Sequence, residues 1–140
     1  MSQENVDRFV KCQEAFNQLT ADPPNVEAGL EFLQFMDPEV RFDPQQAVLQ
    51  GTYAGRDGVG TWLIDLAQHY ELGGRMDCPD VRDLGDRVLA LGTLSVTGKG
   101  SGMPINVPVA ILATFKDGLI TDFKDFGDWK QALEAAGLSE

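Results

Sequence analysis

Residues 117–133 read DGLITDFKDFGDWKQAL. Asp122, Asp125 and Asp128 fall three residues apart, each next to an aromatic. A helix would gather these acids on one solvated face. A strand would send them in different directions. Asp117-Gly118 decides between the two, because a two-residue type I′ hairpin turn needs positive φ at both centres and Asp-Gly supplies it. Residues 119–127 are therefore expected to form a strand paired back onto 103–116. Alternation then places Leu119, Thr121, Phe123, Asp125 and Gly127 on one face, and Ile120, Asp122, Lys124 and Phe126 on the other. Phe123 marks the first face as the interior one, so Asp125 is expected inside and Asp122 outside. Asp128 is expected to cap a last helix, 128–136, that stops at Gly137.

The period-two pattern extends upstream to Gly73-Gly74, giving further strands over 75–84, 86–98 and 103–116. Gly85-Asp86 and Lys99–Gly102 are the turns between them. Before Gly73 the period is helical. Residues 5–19 place Val6, Phe9, Val10, Cys12, Phe16 and Leu19 on one stripe. TADPPN interrupts it, and Asn25 caps a second helix expected to bury Val26, Leu30 and Leu33, with Phe32 or Met36. Asp37-Pro38 ends that helix. VRFDP (40–44) is a short strand, 45–58 reads as loop, and a third helix covers about 57–71 with Val59, Trp62, Leu63, Leu66 and Tyr70 inward.

Helices followed by a strand meander define an α+β class, and 140 residues suffice for a single domain, 1–140, with one core. Strands 86–98 and 103–116 are apolar at nearly every position, so both faces of the sheet need cover. The helices serve one face. A second copy of the chain is expected on the other, making a homodimer through the sheet.

Composition excludes several functions. The formal net charge of −11 opposes binding to nucleic acid or to an anionic membrane surface, both of which need a basic patch. No apolar run approaches the length of a membrane span. The polar, acidic start MSQENVDRF differs from a secretory leader, and a cytoplasmic location is expected. Two distant cysteines and one histidine leave no zinc motif and no multi-histidine metal site.

Asp125 is the leading candidate for chemistry. A carboxylate inside an apolar wall protonates or finds partners, and so becomes a candidate general acid or base. The alternative is that it accepts from backbone amides. Asp43, at the end of VRFDP, is the second candidate, with a local turn as its alternative. Tyr53 is a candidate hydroxyl donor into a pocket. His69, near a helix end, reads as a surface residue.

These residues sit in an ordered set of segments: EAFN (14–17), MDPEVRFDP (36–44), GTYAGRDGV (51–59), FKDGLI (115–120) and DFKDFGDWKQAL (122–133). In order and spacing, over nearly the full length, the chain resembles the SnoaL-like polyketide cyclases of the nuclear transport factor 2-like superfamily. The resemblance implies a cone-shaped fold, with a curved antiparallel sheet wrapped around N-terminal helices and one deep apolar pocket. It also implies dimers through the sheet. Asp125 stands where such cyclases carry an acid/base aspartate and where limonene-epoxide hydrolases carry a water-activating one. Asp43 stands near the proton-shuttling aspartate of ketosteroid isomerases. The departures are equally specific. Ile111 replaces a histidine of the cyclases and an oxyanion-hole acid of the isomerases, and Phe16 replaces an isomerase tyrosine. Gly92 and Leu94 replace an arginine and an aspartate of the epoxide hydrolases.

The expected pocket is walled by Phe16, Phe42, Trp62, Val88, Ala90, Val109, Ile111 and Phe123. Its occupant is expected to be a hydrophobic small molecule, and the chemistry a cofactor-independent cyclisation, isomerisation or hydrolysis by Asp125. A non-catalytic ligand-binding module of the same fold is the alternative, with a purely structural dimerisation domain behind it.

Overall fold

The computed structural model describes residues 2–44 and 52–138. The expected loop at 45–51, including Gly51, lies outside the described residues. The elements run α1 (Ser2–Leu19), α2 (Val26–Gln34), β1 (Met36–Asp43), β2 (Tyr53–Ala54), α3 (Gly55–His69), β3 (Arg75–Asp83), β4 (Arg87–Thr97), β5 (Pro104–Lys116), β6 (Leu119–Asp125) and α4 (Trp129–Ala135). Six strands form one curved sheet in the order β2-β1-β6-β5-β4-β3.

The β5–β6 hairpin has the turn that Asp117-Gly118 specifies. Lys116 pairs with Leu119, and Asp117 and Gly118 take φ of 53° and 82°. The hairpin sets the alternation of β6: Ile120 and Phe123 are buried, and Asp122 and Lys124 are exposed. Ile120 and Phe123 lie on opposite faces by strict alternation. Both are nonetheless buried, because a register shift between Thr114 and Phe115 disturbs the ladder there.

Three local expectations change, and so does the make-up of the sheet. Residues 45–58 contain the short strand β2, paired with β1 through Phe42↔Tyr53. The strand read as VRFDP starts at Met36, and Met36 is a strand residue rather than a helical one. The shift in register between Met36 and Arg41 accommodates Asp37-Pro38, where Asp37 accepts from the Glu39 N–H at 2.8 Å. β1 pairs with β6 in parallel, so the sheet is mixed rather than antiparallel throughout. The third change concerns α2. Its buried residues are Ala28 and Phe32, while Val26 and Leu30 are 73% and 63% exposed. Phe32 sits 5.8 Å from the Phe16 ring and 6.4 Å from Trp62, and this contact sets the rotation of the helix.

The main core lies between the sheet and the helices and includes Phe9, Phe16, Phe32, Met36, Phe42, Trp62 and Ile111. A second, smaller core lies on the outer face. There α4 sets Ala132, Leu133 and Ala136 against Leu89 and Leu91 of β4 and Ala110 of β5. Asp128 caps α4, accepting from the Lys130 and Gln131 N–H groups. The helix ends in a Schellman motif: Gly137 has φ 77°, its N–H bonds Glu134 O, and the Leu138 N–H bonds Leu133 O. The apolar patch behind the expected dimer is thus covered within the chain at this end of the sheet.

Candidate functional site

Inside the sheet lies a cavity of about 240 Å³. β5 supplies its floor, because alternation turns Ile105, Val107, Val109 and Ile111 to one face. Leu94 and Val96 continue the wall on β4, and Phe123 and Asp125 close it on β6. Phe16, Phe32 and Trp62 cover it from the helices, with the Phe16 and Trp62 rings stacked at 5.7 Å. Among the described residues that line this cavity, Asp125 is the only charged one.

The position of Asp125 follows from the end of β6. It pairs in register with Ile111, and the chain then leaves the sheet through Gly127 at φ 68°. Its Oδ1 accepts from the Ala110 N–H and the Gly127 N–H, each at 3.0 Å. One backbone donor comes from the neighbouring strand and one from its own turn. Together they orient the carboxylate and solvate its negative charge. Asp125 thus faces the cavity, and one of its oxygens serves the backbone.

Cys78 adds a second group near this acid. Its N–H donates to Gln13 Oε1 at 3.1 Å, which ties β3 to α1. Burial, and then the negative charges of Asp125 and Asp77, push its thiol up to about 12. Asn17 Nδ2 donates to Met76 O and its Oδ1 accepts from the Met76 N–H, at 2.8 Å each, tying the same strand to α1 one turn further on. The asparagine of EAFN is therefore a staple between helix and sheet.

The other expected site residues separate. Phe42 and Pro44 are buried at the end of β1, so alternation turns the carboxylate of Asp43 outward. It accepts from the Thr52 hydroxyl and lies 3.4 Å from Arg41 Nε. Tyr53 donates its hydroxyl to Asp65 Oδ2 at 3.0 Å, across β2 and α3. Burial and the Asp65 carboxylate both push that hydroxyl above its usual range and keep it a donor. Neither Asp43 nor Tyr53 lines the cavity with Asp125. Asp65 on α3 is thereby held toward β2. His69 is exposed, its Nδ1 2.7 Å from Asp65 O.

Of the expected wall, Phe16, Trp62, Val109, Ile111 and Phe123 line the cavity, whereas Phe42, Val88 and Ala90 are buried behind it. Phe42 backs the wall through Trp62 at 4.8 Å and Phe123 at 4.6 Å. Tyr70, Met76, Ile105 and Val107 were not anticipated as lining. The alternation of β5 carries a signal for the last two. Tyr70 was expected inward on the third helix, but it lies just beyond the end of α3, placed by a single bridge to Gly98. Among the described residues, no three His, Cys, Asp or Glu side chains converge to hold a metal ion.

The family model of the SnoaL-like domain matches residues 14–123, and the chain belongs to that family. The match stops two residues short of Asp125. Solved structures agree on the nuclear transport factor 2-like fold. One is an NTF2-like protein of unknown function from Burkholderia pseudomallei K96243, 21% identical, covering 94% of this chain and 95% of that one at a TM-score of 0.75. Another is TerC co-crystallised with polyporic acid, 22% identical, covering 96% and 98% at 0.72. A protein assigned as a SnoaL-like polyketide cyclase from Jannaschia sp. CCS1 is 18% identical, covering 99% and 94% at 0.71. No curated protein matches the chain.

Proposed function

We propose that this SnoaL-like chain binds a hydrophobic ketone in the inner cavity and that Asp125 moves a proton on it, as a cofactor-independent cyclase or isomerase. The observation that carries this reading is a single carboxylate, held by two backbone N–H groups, in an otherwise apolar wall. An acidic C–H next to a carbonyl needs a base at hydrogen-bond reach and an environment that keeps water out. Phe16, Phe32 and Trp62 give the cavity an apolar cover on its helix side. The similarly folded TerC was co-crystallised with polyporic acid, which supports a small organic ligand in a fold of this kind. Epoxide hydrolysis is the weaker chemistry, because a Cβ at Gly92 would meet Asp77 O at 1.9 Å and leaves no room for an arginine there.

A binding-only role is the second reading. It is favoured by the commitment of Asp125 Oδ1 to two backbone amides and by the apolar Ile111 facing it across the ladder. Asp125→Asn separates the two readings, since the amide oxygen still accepts both bonds. On the catalytic reading, turnover of a ketone substrate falls about 10²–10⁴-fold while ligand affinity stays within a few-fold. Unchanged turnover would leave only the binding module. A homodimer through the sheet also belongs to this proposal. Its contact lies on the outer positions that α4 leaves open, among them the exposed Thr93, Ser95, Asn106 and Pro108.

A further inference from the structure

A groove of about 570 Å³ runs between the end of α1, α2, α3 and the far end of β4. Val26 and Leu30 of α2, Ile64 of α3 and Leu72 form its rim, exposed by 73%, 63%, 61% and 50%. Large aliphatic side chains this exposed, gathered on one concavity, mark a binding surface rather than ordinary surface scatter. The groove adjoins the inner cavity: Phe16, Tyr70, Leu94 and Val96 line both. Among the described residues of its lining, Glu71 is the one charged residue.

Size and charge then limit the occupant. The inner cavity, at about 240 Å³, falls below the range of roughly 300–1,000 Å³ that encloses a drug-sized ligand. The groove supplies the missing volume. Both compartments are apolar, and the charged groups they contain, Asp125 within and Glu71 at the rim, are acidic. An anionic ligand meets like charge at either end, in a chain of net charge −11.

We infer that the groove is the tail compartment of the Asp125 site, and that the ligand is a long neutral molecule: a carbonyl-bearing head inside and an uncharged hydrocarbon extension between α2 and α3. This inference rests on the proposed reading of the inner cavity. A second copy or a partner helix in the groove is the competing occupant.

Calorimetric titration with a homologous series of 2-alkanones, from hexanone to tetradecanone, tests it. Affinity is expected to rise about fourfold per added methylene through the long members, the gain for burying a CH₂. A plateau after the shortest members overturns the tail compartment but leaves the inner site standing. No binding at any length overturns the proposed function itself. A fatty acid of matched length is expected to bind at least tenfold more weakly than its ketone, and equal affinity overturns the neutral-ligand assignment. Leu30→Glu and Ile64→Glu, at exposed positions, are expected to lower the long-to-short affinity ratio at least tenfold. Leu30→Ser serves if a charge at the rim impairs folding. If these variants keep the ratio but change the sedimentation coefficient, the groove is an interface between copies and the inference fails. Turnover of Asp125→Asn, measured separately, reports on the acid and not on the groove.

Discussion

At the residue scale, Gly92 shows how little space the sheet leaves. A Cβ there would lie 1.9 Å from Asp77 O and 2.5 Å from the Cys78 Cα, because β3 shifts register between Asp77 and Asp80 and folds its backbone over β4. The opposing atoms are backbone and cannot rotate away. Gly92→Ala is expected to destabilise the chain by at least about 2 kcal/mol in urea unfolding. A change below about 0.5 kcal/mol would mean that the irregular stretch of β3 yields freely. The buried thiols make a second prediction. Burial raises Cys12 well above its ordinary 9.0, and Cys78 rises to about 12. Between pH 9 and 12 the unfolded chain loses these protons and the native one keeps them, so stability is complete below pH 9 and falls as pH rises. Each thiol lowers stability progressively through that window. Cys12→Ala is expected to flatten the alkaline unfolding profile, and an unchanged slope would contradict the assignment.

At the element scale, α4 ties the end of β6 to the outer sheet. Its cap is local: one carboxylate, Asp128, satisfies the first free N–H groups of a seven-residue helix. Asp128→Ala is expected to cost about 1 kcal/mol and to loosen the cover over Leu89 and Leu91. Faster amide exchange in α4 than in β4 would report it, and equal protection would show that packing alone holds the helix. The caps, the Asp-Gly turn and the two-residue periods of β3 to β6 were legible because each depends on neighbours within a few residues. The inward face of α2 was not. Its apolar residues fall on more than one side, and only Phe16 and Trp62, from other elements, select Phe32 over Leu30. The parallel pairing of β1 with β6 was equally hidden, since its partners lie far apart in sequence.

At the scale of the whole molecule, α4 removes one reason for a partner subunit, the uncovered apolar patch. What it leaves is a polar outer face, so an interface there is polar and each copy carries a charge of −11. Association through the sheet is therefore expected to strengthen with ionic strength, as salt screens the repulsion. Sedimentation equilibrium at low and high salt measures this, and a monomer at every salt concentration would overturn the proposed dimer. No helix among the described residues is long and apolar enough to cross a membrane.

The sequence by itself determined most element types, the hairpin that orients β6, the cap of α4 and the inward aim of Asp125, all through spacings of two to four residues. Tertiary structure alone decided which groups meet that aspartate. Asp43 and Tyr53 were drawn to Thr52, Arg41 and Asp65. Ala110 and Gly127 supplied the N–H groups instead. It also decided that Val26 and Leu30 stay in solvent beside a groove. The physical reason is the same in both cases. A short-range pattern states which way a side chain points, while its partners are set by strands and helices brought together from distant parts of the chain.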